Sequence, residues 1–200
     1  MFAKINFLTA LSALVLFFLP WMDIRCSGKS VATQTGFQTI TGRSTPSEEM
    51  KPKPAAIQIN LPVAEERQKE SLGHAALIAV ALVDVAAAVV FAFLALRTGS
   101  PRHTWLTGVL CAMALTLICI QWGNGFPAKQ KLTESLSGRA SEQTRLDGSA
   151  GLDPGFASAA MLDVETKPLP GLYLTLAALA IPTLIWVNGL LDRLKKQEGK

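Results

Sequence analysis

The chain is 200 residues long, half of them apolar and only 17% charged. Those proportions place it in the membrane class and exclude a pair of soluble domains. Its formal charge of +4 suggests nucleic acid, but the placement of the charges excludes that partner: the two long polar segments are balanced, and the surplus flanks the apolar runs.

Four apolar stretches, at about residues 5–22, 74–97, 104–122 and 172–191, set the organisation. A bilayer core of about 30 Å takes roughly 20 helical residues to cross, so each stretch reads as a span. The first stretch follows Lys4 and ends Leu19-Pro20-Trp21-Met22-Asp23-Ile24-Arg25-Cys26. A cleaved signal peptide is the alternative reading, but this ending has neither a small-x-small cleavage site nor a lipobox, so retention as span one (residues 1–22) is expected. Trp21 is expected to anchor it at a membrane interface, as Trp105, Trp122 and Tyr173 do at other span ends.

Residues 23–73 form the first long loop, with seven Lys/Arg against six acids. Ser27-Gly28-Lys29 breaks two polar, β-prone runs, which predicts a hairpin ending near Thr35. Gly36 and Gly42 bracket a further short run, 37–41. The stretch 43–54 is dense in Pro, Ser, Glu and Lys and is expected to be mobile. Residues 56–61 alternate apolar and polar, as a half-buried strand does, and 65–71 read as a charged helical lead into span two. Cys26 is the one cysteine expected outside the membrane. With no intrachain mate there, it is free, lipid-facing or bridged to a partner.

Residues 74–122 form a two-span hairpin with a short turn bearing Arg97 and Arg102. Asp84 lies near the middle of the first of these spans, where a carboxylate costs roughly 3 kcal/mol or more. It must face the bundle, and Val80, Ala81, Ala87 and Ala88 give it a mostly small-residue face on which another helix packs closely. Ser12, Thr116 and Thr183 are the partners expected at similar depth. Asp84 is then either a proton or cation site or, as the blander reading, a neutral hydrogen-bonded packing residue. Gly108 and Ala112 provide a small-xxx-small pair for close helix contact. Cys111 and Cys119 read as small core residues. His74 and His103 fall at opposite membrane faces, so together they ligate no haem. No phosphate loop, nucleophile elbow or zinc spacing occurs, and neither metal nor cofactor is expected.

The second long loop, 123–171, carries five Lys/Arg against six acids. It is rich in Gly, Ser and Ala, with a weak helical patch at 132–136 and a candidate strand at 161–166 that Pro168 and Pro170 terminate. Three or four short strands from the two loops are expected to pair into a small sheet above the bundle, two disordered loops being the alternative. The last segment, 172–200, is a span interrupted by Pro182, which should kink it, followed by a basic tail. Lys4, Arg97, Arg102, Arg193, Lys195, Lys196 and Lys200 all fall on one side if the chain crosses four times, which marks that side as cytoplasmic. The expectation is therefore an all-α membrane fold in the cell (inner or plasma) membrane: a four-helix bundle, both termini inside, with a small β-containing extracytoplasmic region. The absence of any Asn-x-Ser/Thr acceptor fits a bacterial source.

As architecture, four spans with inside termini and a larger first outer loop resemble the claudin/PMP-22 tetraspan plan. The signature of that family, a Trp-Gly-Leu-Trp stretch followed by two cysteines, is missing here, because Trp21 stands alone and Cys26 has no mate. A paracellular-barrier role therefore does not carry over. The run Phe18-Leu19-Pro20-Trp21-Met22-Asp23-Ile24-Arg25-Cys26, with Thr33-Gln34-Thr35-Gly36-Phe37-Gln38 after it, also resembles uncharacterised small bacterial four-span membrane proteins, a likeness that implies no activity. The residues point to a non-enzymatic protein whose outer loops and helix faces meet a protein partner or a second copy, as in an accessory subunit of a membrane complex. The alternative is a small oligomeric transporter or ion-coupled protein built on Asp84.

Overall fold

The computed structural model describes residues 2–26, 28–47, 75–126 and 164–198. In chain order these form α1 (Phe2–Leu16), β1 (Pro20–Cys26), β2 (Lys29–Thr35), α2 (Gly36–Thr41), β3 (Thr45–Pro46), α3 (Ala76–Thr98), α4 (Pro101–Gly123), β4 (Val164–Pro168) and α5 (Pro170–Glu198). Of the described residues, 74% are helical. Among the described residues three helices, α3, α4 and α5, are long and apolar enough to cross a membrane.

The first apolar stretch departs from expectation. Its α-helix ends at Leu16 rather than running to residue 22, so α1 has only 15 residues, or about 22 Å. Pro20 is the cause: it has no N–H to donate, and its ring drives the preceding residue out of the α region. The chain tightens into three consecutive i→i−3 bonds, Phe17 N to Leu14 O at 3.3 Å, Phe18 N to Val15 O at 3.0 Å and Leu19 N to Leu16 O at 3.1 Å. This is a 3₁₀-like turn, adding about 6 Å. Trp21 then folds back under the helix end. Its Nε1 donates to Leu16 O at 2.9 Å, and its ring lies 4.6 Å from that of Phe17. Gly36 seats the indole, since a Cβ there would fall 2.6 Å from Trp21 Cε2.

The expected hairpin is present. Gly28, at φ 79°, turns β1 into β2, pairing Cys26 with Lys29 and Ile24 with Ala32. β4 adds antiparallel to the other side of β1, with Met22 opposite Pro168 and Cys26 opposite Val164, and β3 adds to β2. The four-stranded order is β3-β2-β1-β4. The run 37–41 is helical: Thr35 caps α2 by accepting from Gln38 N while the Gln38 side chain accepts from Thr35 N, a reciprocal capping box. Gly42, left-handed at φ 70°, ends it. Pro168 closes β4 and Pro170 opens α5, so the expected break shrinks to Leu169. The expected strand at 56–61, the lead at 65–71, the patch at 132–136 and His74 lie outside the described residues, as does most of 43–54.

The short α1 and the three longer helices pack around a ring, α1 on α3, α3 on α4, α4 on α5 and α5 on α1, with α1 and α4 meeting only lightly across the centre. Each presents a stripe at helical spacing: Asn6, Ala10, Ala13 and Phe17; Ala81, Val85, Ala88, Ala92 and Ala95; Thr107, Cys111, Ala114 and Ile118; Leu172, Thr175 and Leu179. The alanines let helices approach closely. Gly99, left-handed at φ 64°, donates to Ala95 O and ends α3, and Pro101 opens α4 two residues later, so the hairpin turn is as short as expected. Pro182 lies inside α5, which continues through it and past the bundle, carrying the basic tail as helix.

Candidate functional site

Three places in the fold gather polar groups: Asp84 in mid-bundle, the sheet end, and the opposite end at the α3–α4 turn.

Asp84 lies beside Val85 on the packed face of α3 and is 9% exposed. Its Oδ2 has no hydrogen-bond partner, and among the described residues it makes no ion pair. No hydrogen bond joins it to any of the three hydroxyls expected around it. Ser12 and Thr116 are on exposed faces of their helices. Thr116 Oγ1 donates to Ala112 O and Thr183 Oγ1 to Leu179 O, both at 2.8 Å, each satisfied within its own helix. Asp84 is thus a lone carboxyl among small apolar residues. Among the described residues no group of three His, Cys, Asp or Glu gathers as metal ligands would.

At the sheet end, a second buried acid is fully engaged. Asp23, only 5% exposed in β1, accepts from Arg25 Nε at 2.7 Å and from the Ser30 hydroxyl across the hairpin. Arg25 and Ser30 are register partners, so the sheet itself assembles this triad. Trp122 and Tyr173, half-exposed at the ends of α4 and α5, meet edge to face at 5.8 Å. Trp21, by contrast, is fully buried in protein. Between these groups a cavity of about 200 Å³ is lined by Met22, Trp122, Gly123, Gly125, Phe126, Thr166 and Pro168. Cys26 ends β1 here, paired in register with Val164 of β4.

At the turn end the stripes become polar. Asn6 in α1 is 2% exposed, and its Oδ1 has no partner; nor have His103 Nδ1 in α4 and Trp186 Nε1 in α5, all three atoms being buried. The His103 ring stacks on Phe91 at 6.1 Å, Trp186 meets Trp105 edge to face at 6.1 Å, and Phe7 meets Phe93 at 6.1 Å. Neither Asn6 nor Trp186 stood out in the sequence, and His103 read as a lone interfacial histidine. A signal was present for Asn6: it is the one amide in α1, spaced four and seven residues before Ala10 and Ala13.

No protein-family model, curated protein or solved structure matches the chain.

Proposed function

We propose that this is a non-enzymatic membrane protein that crosses the bilayer four times, keeps both termini in the cytoplasm and presents its sheet outside to a protein partner, as an accessory subunit of a membrane complex. The observation that carries the reading is the attachment of the sheet. Phe37 N donates to Phe17 O at 3.0 Å, Ala75 N to Thr39 O at 3.3 Å and Leu169 N to Trp21 O at 2.8 Å. Three tie points to the helix ends make a platform of fixed orientation, with exposed Glu165 and Lys167 on the β4 edge; sheet edges are a common peptide-docking mode. The fourth crossing is supported by length: α1 and its 3₁₀-like turn together span about 28 Å, close to the hydrocarbon core. Phe18 and Phe37, both exposed, stack at 5.7 Å as a lipid-facing collar where that crossing ends. Lys4, Arg97, Arg102, Arg193, Lys195 and Lys196 all sit at the turn end, which the positive-inside rule assigns to the cytoplasm.

Photo-cross-linkers placed at Glu165 and Lys167 in native membranes test the reading. A discrete adduct from the β4 edge, absent from Leu191 at the other end, is expected; a strictly monomeric protein with no adduct from either β4 position refutes it.

One observation favours a second reading, the unpartnered Oδ2 of Asp84. As the site of an ion-coupled transporter it requires flux into liposomes that Asp84→Asn abolishes. Flux unchanged by the substitution removes Asp84 from any such role.

A further inference from the structure

We propose that the partner at the β4 edge is a second copy of this chain, the two β4 strands pairing antiparallel about a two-fold axis at Thr166. The inference rests on the proposed docking of a protein at that edge and names the protein. Among the described residues β4 has β1 as its one neighbour, which leaves its other side open. Leu169 N donates to Trp21 O, and Lys167 and Glu165 are the register partners of Asp23 and Arg25. Alternation along the strand therefore turns the backbone N–H and C=O groups of Glu165 and Lys167 toward β1, and those of Val164 and Thr166 toward the open side. Pro168 falls on the open side too, where its missing N–H costs the β1–β4 ladder nothing.

A strand edge offers its backbone to any extended chain, so the side chains decide the occupant. β4 reads Val164-Glu165-Thr166-Lys167-Pro168. Paired antiparallel with itself about Thr166, it sets Glu165 of each copy opposite Lys167 of the other. Opposite charges directly across a ladder stabilise it, and like charges destabilise it. The neighbouring two-fold registers all fail. Centring on Glu165 or on Lys167 opposes two acids or two ammonium groups. Centring on Val164 sets Asp163 against Glu165, and centring on Pro168 brings together two residues with no N–H to exchange. In the Thr166 register the two Thr166 residues exchange both of their hydrogen bonds, and each Val164 N–H donates to the Pro168 C=O across the axis. Glu165 and Lys167 are both exposed, with 3.8 Å between their charged groups in the single chain, so the paired strands bring two such pairs into one alternating set of four charges. The contact uses the same residues on both copies and closes at two.

Sedimentation of the full chain in mild detergent reads the pairing, and a dimer is expected. Glu165→Lys or Lys167→Glu alone should weaken it about tenfold, and the two substitutions together in one chain should restore it. Mixing the two single variants should give a heterodimer as strong as the native pair, although neither chain keeps its own Glu165–Lys167 contact; this separates pairing between copies from the contact within one strand. The melting temperature should hold in every variant, because exposed ion pairs add little to folding. In a chain carrying Cys26→Ser, Cys111→Ala and Cys119→Ala, Thr166→Cys should cross-link two copies on oxidation, since opposed Cα atoms in a ladder lie about 5.5 Å apart, within disulfide reach. A dimer indifferent to the single reversals overturns the proposal, as does a mixture of the two variants that stays monomeric. Photo-adducts from β4 to a different protein, with no cross-link through Thr166→Cys, overturn the second copy as occupant and leave the edge as a docking site. No adduct and no cross-link overturn both.

Discussion

Two glycines on facing and free helix surfaces should answer the same substitution with opposite signs. Gly108 in α4 lies under Trp186: an added Cβ would meet the Trp186 Cβ inside any tolerable contact and its Cγ at 2.7 Å. The obstacle is the root of a side chain, not its flexible end, so α4 and α5 must move apart along their shared seam. Overpacking of that kind costs about 1–3 kcal/mol, and a backbone-rooted clash belongs at the upper end. Alanine returns up to about 1 kcal/mol in helix propensity, leaving Gly108→Ala net destabilising by about 2 kcal/mol. Gly189 in α5 has nothing within 4 Å of the same added atom. There the propensity gain stands alone, so Gly189→Ala should stabilise by about 0.5–1 kcal/mol. Reversible unfolding of the purified chain in SDS-containing mixed micelles measures both. If Gly108→Ala is as stable as Gly189→Ala, the α4–α5 seam is not packed through Gly108, and the placement of Trp186 falls with it.

Other substitutions address the sheet end and the buried acid. Thr35→Ala removes one half of the α2 capping box and should destabilise the module by about 1 kcal/mol, seen as faster hydrogen exchange at the Ala75 amide, which donates to Thr39 O. Unchanged exchange would mean that α2 does not hold the start of α3. Asp23→Ala strips Arg25 and Ser30 of a shared acceptor and should cost about 2 kcal/mol, whereas Asp23→Asn should cost less; equal losses would show that the acceptor geometry is immaterial. Asp84→Leu should raise unfolding stability by about 1–3 kcal/mol, since it replaces a buried carboxyl whose Oδ2 has no partner with an apolar group. A loss of stability instead would reveal a partner to Asp84 that the packing does not display.

What was legible in the sequence depended on which physical term decided the outcome. The helices α3, α4 and α5, each long and apolar enough to cross a membrane, were legible because a long apolar run must satisfy its backbone internally, which dictates helix. The β1–β2 hairpin followed from Gly28. The end of α1 did not follow from hydropathy, because that scale counts side-chain transfer and is blind to the backbone effect of Pro20. α2 carried its own signature, Thr35 with Gln38 three residues on and Gly42 at the C-cap, but six residues are too few for periodicity to register. Ser12 and Thr116 stand on exposed faces for a different reason: equal depth is not equal azimuth. Thr116 lies two residues from both Ala114 and Ile118, about 200° around the helix from each, so their burial turns it outward. Ser12 stands in the same relation to Ala10, and it too is exposed.

The early end of α1 has a mechanical consequence for how the sheet moves. Because the helix stops one turn below the others, Trp21 fills the space above Phe17, and β1 starts from inside the bundle end rather than from a linker. β1 then pairs with β4 over five residue pairs, from Met22 with Pro168 to Cys26 with Val164. β4 passes through Leu169 alone into α5. α1 and α5 are therefore joined twice, once by direct packing and once through the β1–β4 ladder. A change in tilt between them must either shear that ladder or carry the whole sheet along. Backbone ladders resist shear because a slip of one residue turns every side chain to the opposite face. The sheet will follow the helices as a body, so a partner bound at the β4 edge is coupled to the arrangement of the bundle beneath it.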